Sequence, residues 1–445
     1  MIIKNIGQLV GIVPEGVLRK EGEEQGKTEV LENAWLSIKD GRIAAFGPMA
    51  SCPKMAGQAG HDAIPGDEGI AGQSVIPGNE GIAGQSVIPG DEGIAGQSVI
   101  PGYDRESLDA AGGMLMPGFC DSHTHIVYAG NRSGEFLDKI NGLSYEEIAA
   151  RGGGILNSSD LLNKTSEDEL YRQSLSRVQE MMDKGTVAME IKSGYGLCPE
   201  GEMKMLRVIR RIKETVPAAV RSTFLGAHAV GRGYTHEEYV QTIIDMLPQA
   251  ASLADFVDVF CDEGFFTVED TERILRAAKG LLTPKIHANE LAVSGGVQVG
   301  VKYGALSVDH LERTTDAEIE ALRGSATMPT MLPGSSFFLG LPYGRAKDYI
   351  KAGLGVALAS DYNPGSSPSG DMRFVMAQGC IKMRLTPVEA FNAVTLNSAY
   401  AMGLSHEYGS VTVGKKAALI LTQPGWDLTK LAYEYQTPFI RKVIF

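Results

Sequence analysis

The stretch GGMLMPGFCDSHTHIVYAG, residues Gly112 to Gly130, is where the chain changes character. A short apolar run leads to His123 and His125, separated by one residue. On a strand, residues i and i+2 point to the same side, so two imidazoles can reach one ion from one strand. Beyond it, apolar runs of strand length (VAMEI, STFLGAHAV, FVDVFC, PKIHANE, ALSVDHL, ATMPTML, GVALASD) alternate with segments of helical spacing. SEDELYRQSLSRVQEMMDKG and EEYVQTIIDMLPQAASLA are two of the latter. This alternation suits a closed (β/α)₈ barrel better than an open doubly wound sheet. No G-x-G-x-x-G joins a strand to a helix, and RGGGIL at Arg151 carries no lysine after its glycines, so neither a dinucleotide fold nor a phosphate cradle is indicated.

The flanks read differently. AWLSIKDGRIAAFGP is two apolar runs joined by Asp-Gly, a β-hairpin signal. GSVTVGKKAALILTQP and FIRKVIF near the other end are again short strands. The expected architecture is α/β: a TIM-like barrel over residues 113–404, with a small β-sandwich domain built from both termini, 1–112 and 405–445. Within the first part lies a tandem repeat at about 64–103. IPGDEGIAGQSV at Ile64 returns at Ile76 and Ile88, the copies differing only at Asp67, Asn79 and Asp91. Rich in glycine and lacking a large aromatic, it cannot build a core of its own. It reads as an exposed insert, with a stacked solenoid as the alternative.

Composition narrows the function classes. The 445 residues carry a formal net charge of -13 with no basic block, which argues against nucleic acid or an anionic membrane as main partner. The five cysteines are odd in number, widely spaced and without a C-x-x-C pair. A reducing, cytoplasmic setting is therefore expected. MIIKNIGQLVGIVPEG is not a signal peptide, and no run of membrane-spanning length exists.

Five of the eight histidines fall at or near C-terminal ends of predicted strands: His123, His125, His228, His287 and His310. Barrel active sites sit at that face. Asp361, in VALASDYNPGSS, ends the last predicted strand. It can cap a loop, or serve as metal ligand and general base. Imidazole suits zinc or iron. A catalytic ion needs about three protein ligands and an open position, which His123, His125, His287 and Asp361 can supply.

PGFCDSHTH, EIKSGYGL, FLGAHAV, KIHANE, LSVDHLE, MLPGSSFFL and ASDYNPGSS together resemble the imidazolonepropionase family of the amidohydrolase superfamily. The match runs from about Gly112 to Leu404. The resemblance implies a hydrolase acting on a cyclic amide C–N bond in histidine degradation, opening 4-imidazolone-5-propanoate to N-formimidoyl-L-glutamate. It implies one divalent ion, zinc or iron, on His123, His125, His287 and Asp361. Substrate contacts carry over to Arg132, which would hold the propanoate carboxylate, and to Tyr145, Tyr195, His228, Glu290, Asn363, Gly365 and Ser366. Proton transfer and oxyanion stabilisation would fall to Asp361, Glu290, His310 and His228. Lys192, read as past its strand end, offers no counterpart to the carbamylated lysine of two-metal relatives. A homodimer follows by the same analogy.

Two residues depart from the family pattern: Asn289 and Ala418 stand where aspartate is usual. Two rivals remain. A cytosine- or guanine-type deaminase would share the ligand set, but Arg132 and SGYGL suit an acid side chain better than a nucleobase. A non-enzymatic barrel scaffold would be expected to have lost ligands.

Overall fold

The computed structural model describes residues 1–53, 107–143 and 153–445. The repeat at 64–103 and Tyr145 lie outside the described residues. Three strands open the chain: β1 (Ile2–Ile12), β2 (Glu29–Lys39) and β3 (Arg42–Pro48). Strands β2 and β3 pair antiparallel. The turn between them has Asp40 and Gly41 at φ +51° and +69°. Positive φ at both central residues is what a tight hairpin turn requires, and Asp-Gly supplies it. Next come β4 (Ser107–Asp109) and β5 (Gly113–Pro117), and from the other end β14 (Leu419–Pro424) and β15 (Ile440–Ile444). All seven form one mixed sheet, in which β5 lies between β1 and β14. Gly113–Pro117 thus belongs to this sheet rather than to the barrel. Ile3, Leu9, Leu36, Leu115, Leu419 and Leu421 form its buried face.

The barrel strands are β6 (Phe119–Asp121), β7 (Thr186–Lys192), β8 (Ala219–Ala227), β9 (Phe256–Cys261), β10 (Thr283–Ala288), β11 (Ser307–His310), β12 (Met328–Met331) and β13 (Ala357–Leu358). Each pairs in parallel with the next. Most are buried at every position, as expected where helices cover a parallel sheet. The intervening helices start at sequence-encoded caps. Ser166 accepts the Glu169 amide before Glu167–Asp183, and Thr235 with Glu238 forms a capping box before His236–Ala250.

The two outer strands meet just beyond their ends. The Asp361 amide donates to His123 O (3.0 Å), and the His125 amide to Tyr362 O (2.9 Å). The barrel therefore closes through the H-x-H segment and the Asp361 loop. Among the described residues, no helix is long and apolar enough to cross a membrane.

Candidate metal centre and substrate cavity

His123 and His125 follow β6, and both are buried. The His123 Nδ1 proton goes to Asp309 Oδ2 at 2.7 Å, which leaves Nε2 as an acceptor facing the barrel axis. That nitrogen lies 3.1 Å from His125 Nε2, which in turn lies 3.4 Å from His287 Nε2. Asp361 Oδ1 stands 3.6 Å from His123 Nε2 and 3.5 Å from His125 Nε2. Burial, with Lys192 behind the first ring and His228 beside the second, holds the pKa of His123 and of His125 well below the ordinary imidazole value. Both are neutral, the form that ligates metal.

Three imidazole Nε2 atoms and a carboxylate oxygen come together in a buried space, an arrangement that a cation among them would hold together. His123, His125 and His287 form one group of donor atoms that could hold a cation, and His123, His310 and Asp361 a second, and these ligand types fit a divalent ion of the zinc or iron type. His125 Nδ1 is buried without a hydrogen-bond partner among the described residues. His287 Nδ1 lies 2.9 Å from Asp258 Oδ2, off the hydrogen-bond axis. Asp361 Oδ2 accepts the Ser335 hydroxyl in a short contact and stands 3.4 Å from Ser366 Oγ.

Strain gathers here. Asn289, His310, Leu311 and Asp361 have φ of +61°, +85°, +69° and +51°. Non-glycine residues held in this region cost about 1–3 kcal/mol each and persist where the surroundings enforce them.

The cluster opens on a cavity of about 890 Å³. His228, at its wall, donates from Nδ1 to Gly194 O (2.9 Å), so its Nε2 is an acceptor. Burial pushes its pKa down to about 3. Gly194 sits at φ +109°, and a Cβ there would lie 2.9 Å from His228 Nδ1, so only glycine allows this approach. Tyr195 is buried beside His125 and His228, with ring centroids 6.1 and 5.5 Å away. Burial raises its pKa, so its hydroxyl stays protonated. Glu290 Oε2 stands 3.6 Å from His310 Nε2, and Glu312 Oε2 3.5 Å from His310 Nδ1. Burial raises Glu290 to about 7. Burial alone would lower His310, but Glu290 and Glu312 outweigh it and the ring's pKa rises well above its ordinary value. This pair keeps a proton at neutral pH.

Arg132 lines the cavity mouth. Its Nε and Nη2 both donate to Glu135 Oε2, at 2.8 and 2.5 Å, while Glu135 Oε1 accepts the Gly154 amide (3.0 Å). Its Nη1 lies against Gly365, where a Cβ would come within 2.3 Å. Asn363 lines the same cavity, but its amide is spent on the loop. Nδ2 donates to Asp361 O and Ser366 Oγ, and Oδ1 accepts the Gly365 and Ser366 amides, all at 2.7 Å.

All the expected site residues within the described chain thus gather in or around one cavity. Sequence reading missed four that support them: Asp309, Asp258, Glu135 and Ser335. The first two had a faint signal, a carboxylate inside an otherwise apolar strand. Lys192 needs correction. It is the last residue of β7, not past it, and its Nζ contacts Glu190 Oε1 (2.5 Å) and Asp258 Oδ2 (2.8 Å) inside the barrel. Asn289, in place of aspartate, donates to Arg313 O at 2.9 Å.

The amidohydrolase family profile matches residues 266–444. An imidazolonepropionase of Flavobacterium johnsoniae is 47% identical, with 100% of this chain and 98% of the relative covered. That of Flavobacterium psychrophilum is 44% identical, with 99% and 98% covered. Among solved structures, a zinc-bound adenosine deaminase of Xanthomonas campestris superposes with a TM-score of 0.66 at 16% identity, covering 99% of this chain and 90% of that one. A 5-methylcytosine deaminase of Klebsiella pneumoniae gives 0.67 at 15%, covering 100% and 98%. At such identities the deaminases share the fold alone. The full-length relatives decide the family: this chain belongs to the imidazolonepropionases of the amidohydrolase superfamily.

Proposed function

We propose that the chain hydrolyses the cyclic amide of 4-imidazolone-5-propanoate, yielding N-formimidoyl-L-glutamate. What carries this reading is a cavity lined by His125, His287, Asp361 and the guanidinium of Arg132, with His123 packed against His125. A propanoate carboxylate matches that guanidinium in charge and in bidentate geometry, whereas a nucleobase offers it neutral acceptors only.

A divalent ion at the cluster supplies Lewis acidity, acidifying water and polarising a carbonyl. His123, His125, His287 and Asp361 would hold it. The chain's own groups do the rest. Asp361 takes the proton of the attacking water, its carboxylate oriented by the Ser335 hydroxyl. Glu290 and His310 both line the cavity, and a proton carried by this pair would go to the ring nitrogen as it leaves. Transfer of this kind contributes about 10²–10⁴-fold. His228, neutral and accepting at Nε2, suits a ring N–H of the substrate, and the Tyr195 hydroxyl can donate to it. Asn363 acts through its loop, presenting Gly365 and Ser366.

The test is turnover of imidazolonepropanoate, followed by its ultraviolet absorbance, beside a panel of cyclic amides and nucleobases. Turnover of a nucleobase but not of the imidazolone would overturn the proposal. Metal analysis of the purified chain distinguishes zinc from iron. A cytoplasmic homodimer completes the proposal on family likeness, and sedimentation of the full chain tests the dimer.

A further inference from the structure

Inside the barrel, beneath the imidazole cluster, five charged side chains are packed together. Glu190 and Lys192 come from β7, Asp258 from β9, Lys285 from β10 and Asp309 from β11. Glu190, Lys192, Lys285 and Asp309 are 0% exposed and Asp258 is 1% exposed. Charges this deep are held only by one another.

Two oxygens in this set are shared. Asp258 Oδ2 lies 2.8 Å from Lys192 Nζ and 2.9 Å from His287 Nδ1. Asp309 Oδ2 accepts His123 Nδ1 at 2.7 Å and stands 3.6 Å from both Lys192 Nζ and Lys285 Nζ. The ammonium groups and the imidazoles therefore compete for the same two atoms. Glu190 sets the balance. Its Oε1 accepts from Lys192 (2.5 Å) and from Thr223 Oγ1 (2.6 Å), and its Oε2 makes a short contact with Lys285. Both lysines are thus drawn toward the carboxylate that holds no imidazole.

We propose that Glu190 is a positioning residue for the imidazole cluster. By engaging Lys192 and Lys285, it keeps both ammonium groups 3.6 Å from Asp309 Oδ2, the oxygen that accepts His123 Nδ1. Without its charge, the lysines close on that oxygen and loosen the His123 ring. The inference rests on the reading that this cluster holds a divalent ion.

The experiment compares full-length wild type with Glu190→Gln, both stripped of metal. Each is titrated with zinc against a chromophoric chelator, and each is loaded with cobalt(II) for its visible spectrum. Groups that orient metal-ligating histidines typically change metal affinity about 10–100-fold, and a loss of that size is expected here with a shifted cobalt spectrum. Zinc affinity is read on folded protein, so a fall in thermal stability alone does not produce it. If Glu190→Gln does not fold, the double variant Glu190→Gln/Lys285→Met removes one charge of each sign, leaves Lys192 to close on Asp309 Oδ2, and should show a loss in the same direction but smaller. Wild-type affinity and spectrum in either folded variant would overturn the inference while leaving the metal reading intact. A wild-type chain that takes up neither ion would sink the metal reading, and the inference with it.

Discussion

The backbone amide of Asp361 donates to the carbonyl of His123 at 3.0 Å, so the bond that closes the barrel also joins the first and last proposed ligands. This pins the Asp361 carboxylate beside the imidazoles independently of its own side-chain bonds. Asp361→Asn keeps that amide and nearly the same volume. It should therefore fold like wild type, with kcat reduced about 10²–10⁴-fold, the range of a lost general base. Circular dichroism and steady-state turnover check it. Activity near wild type would remove Asp361 from the mechanism.

Arg132 makes a prediction of another kind. The propanoate is remote from the reacting carbon, so Arg132→Ala should raise KM and leave kcat nearly unchanged. A lost charged hydrogen bond is worth about 1.5–3 kcal/mol, or about 10–100-fold in KM. Glu135 grips the guanidinium through Nε and Nη2. Glu135→Gln should therefore raise KM in the same direction by less. A pure kcat effect in either variant would mean that the pair is misassigned.

Lys415 offers a stability test outside the site. Its ammonium donates to Ser405 O (2.5 Å) and Ser410 Oγ (2.7 Å), and burial lowers its pKa to about 8. Because the folded value lies below the unfolded one, the unfolded chain binds more protons between about pH 8 and 10.5. Stability from this group therefore rises with pH across that window. The stability of wild type minus that of Lys415→Met should grow by about 1–3 kcal/mol from pH 7.5 to 10, measured by urea unfolding. A flat difference would show that Lys415 keeps an ordinary pKa in the fold.

These residues show what was legible in the chain. Barrel strands announced themselves because both faces are covered, which leaves continuous apolar runs such as FVDVFC. His123 and His125 were legible because one strand sets their spacing. The support beneath them was not. Glu190, Lys192 and Lys285 lie on two strands, and Asp258 and Asp309 on two more. Their pairing is a property of barrel packing that no local window contains. Lys192 was misread for the same reason, since a lysine ending an apolar run looks solvent-bound until its carboxylates are in place. Asn363 shows the converse. Its position was readable, yet the commitment of its whole amide to the loop depends on the fold of Gly365 and Ser366.

The twelve-residue repeat gives the last prediction. The described chain leaves off at Pro53, five residues after the end of β3, and resumes at Ser107, where β4 pairs in parallel with β1. Both ends are thus on or next to strands of the terminal sheet, which contributes none of the cavity-lining residues. Lengthening a connection costs little in closure entropy, which grows only with the logarithm of its length. Deleting Ile76–Val99, two whole copies, keeps the sequence at both junctions and should leave kcat and KM within about twofold. By the same scaling it should change stability by about 1 kcal/mol or less. Steady-state kinetics and thermal unfolding of the deletion variant measure both. A large fall in kcat with the unfolding midpoint unchanged would mean that the repeat reaches the catalytic mouth.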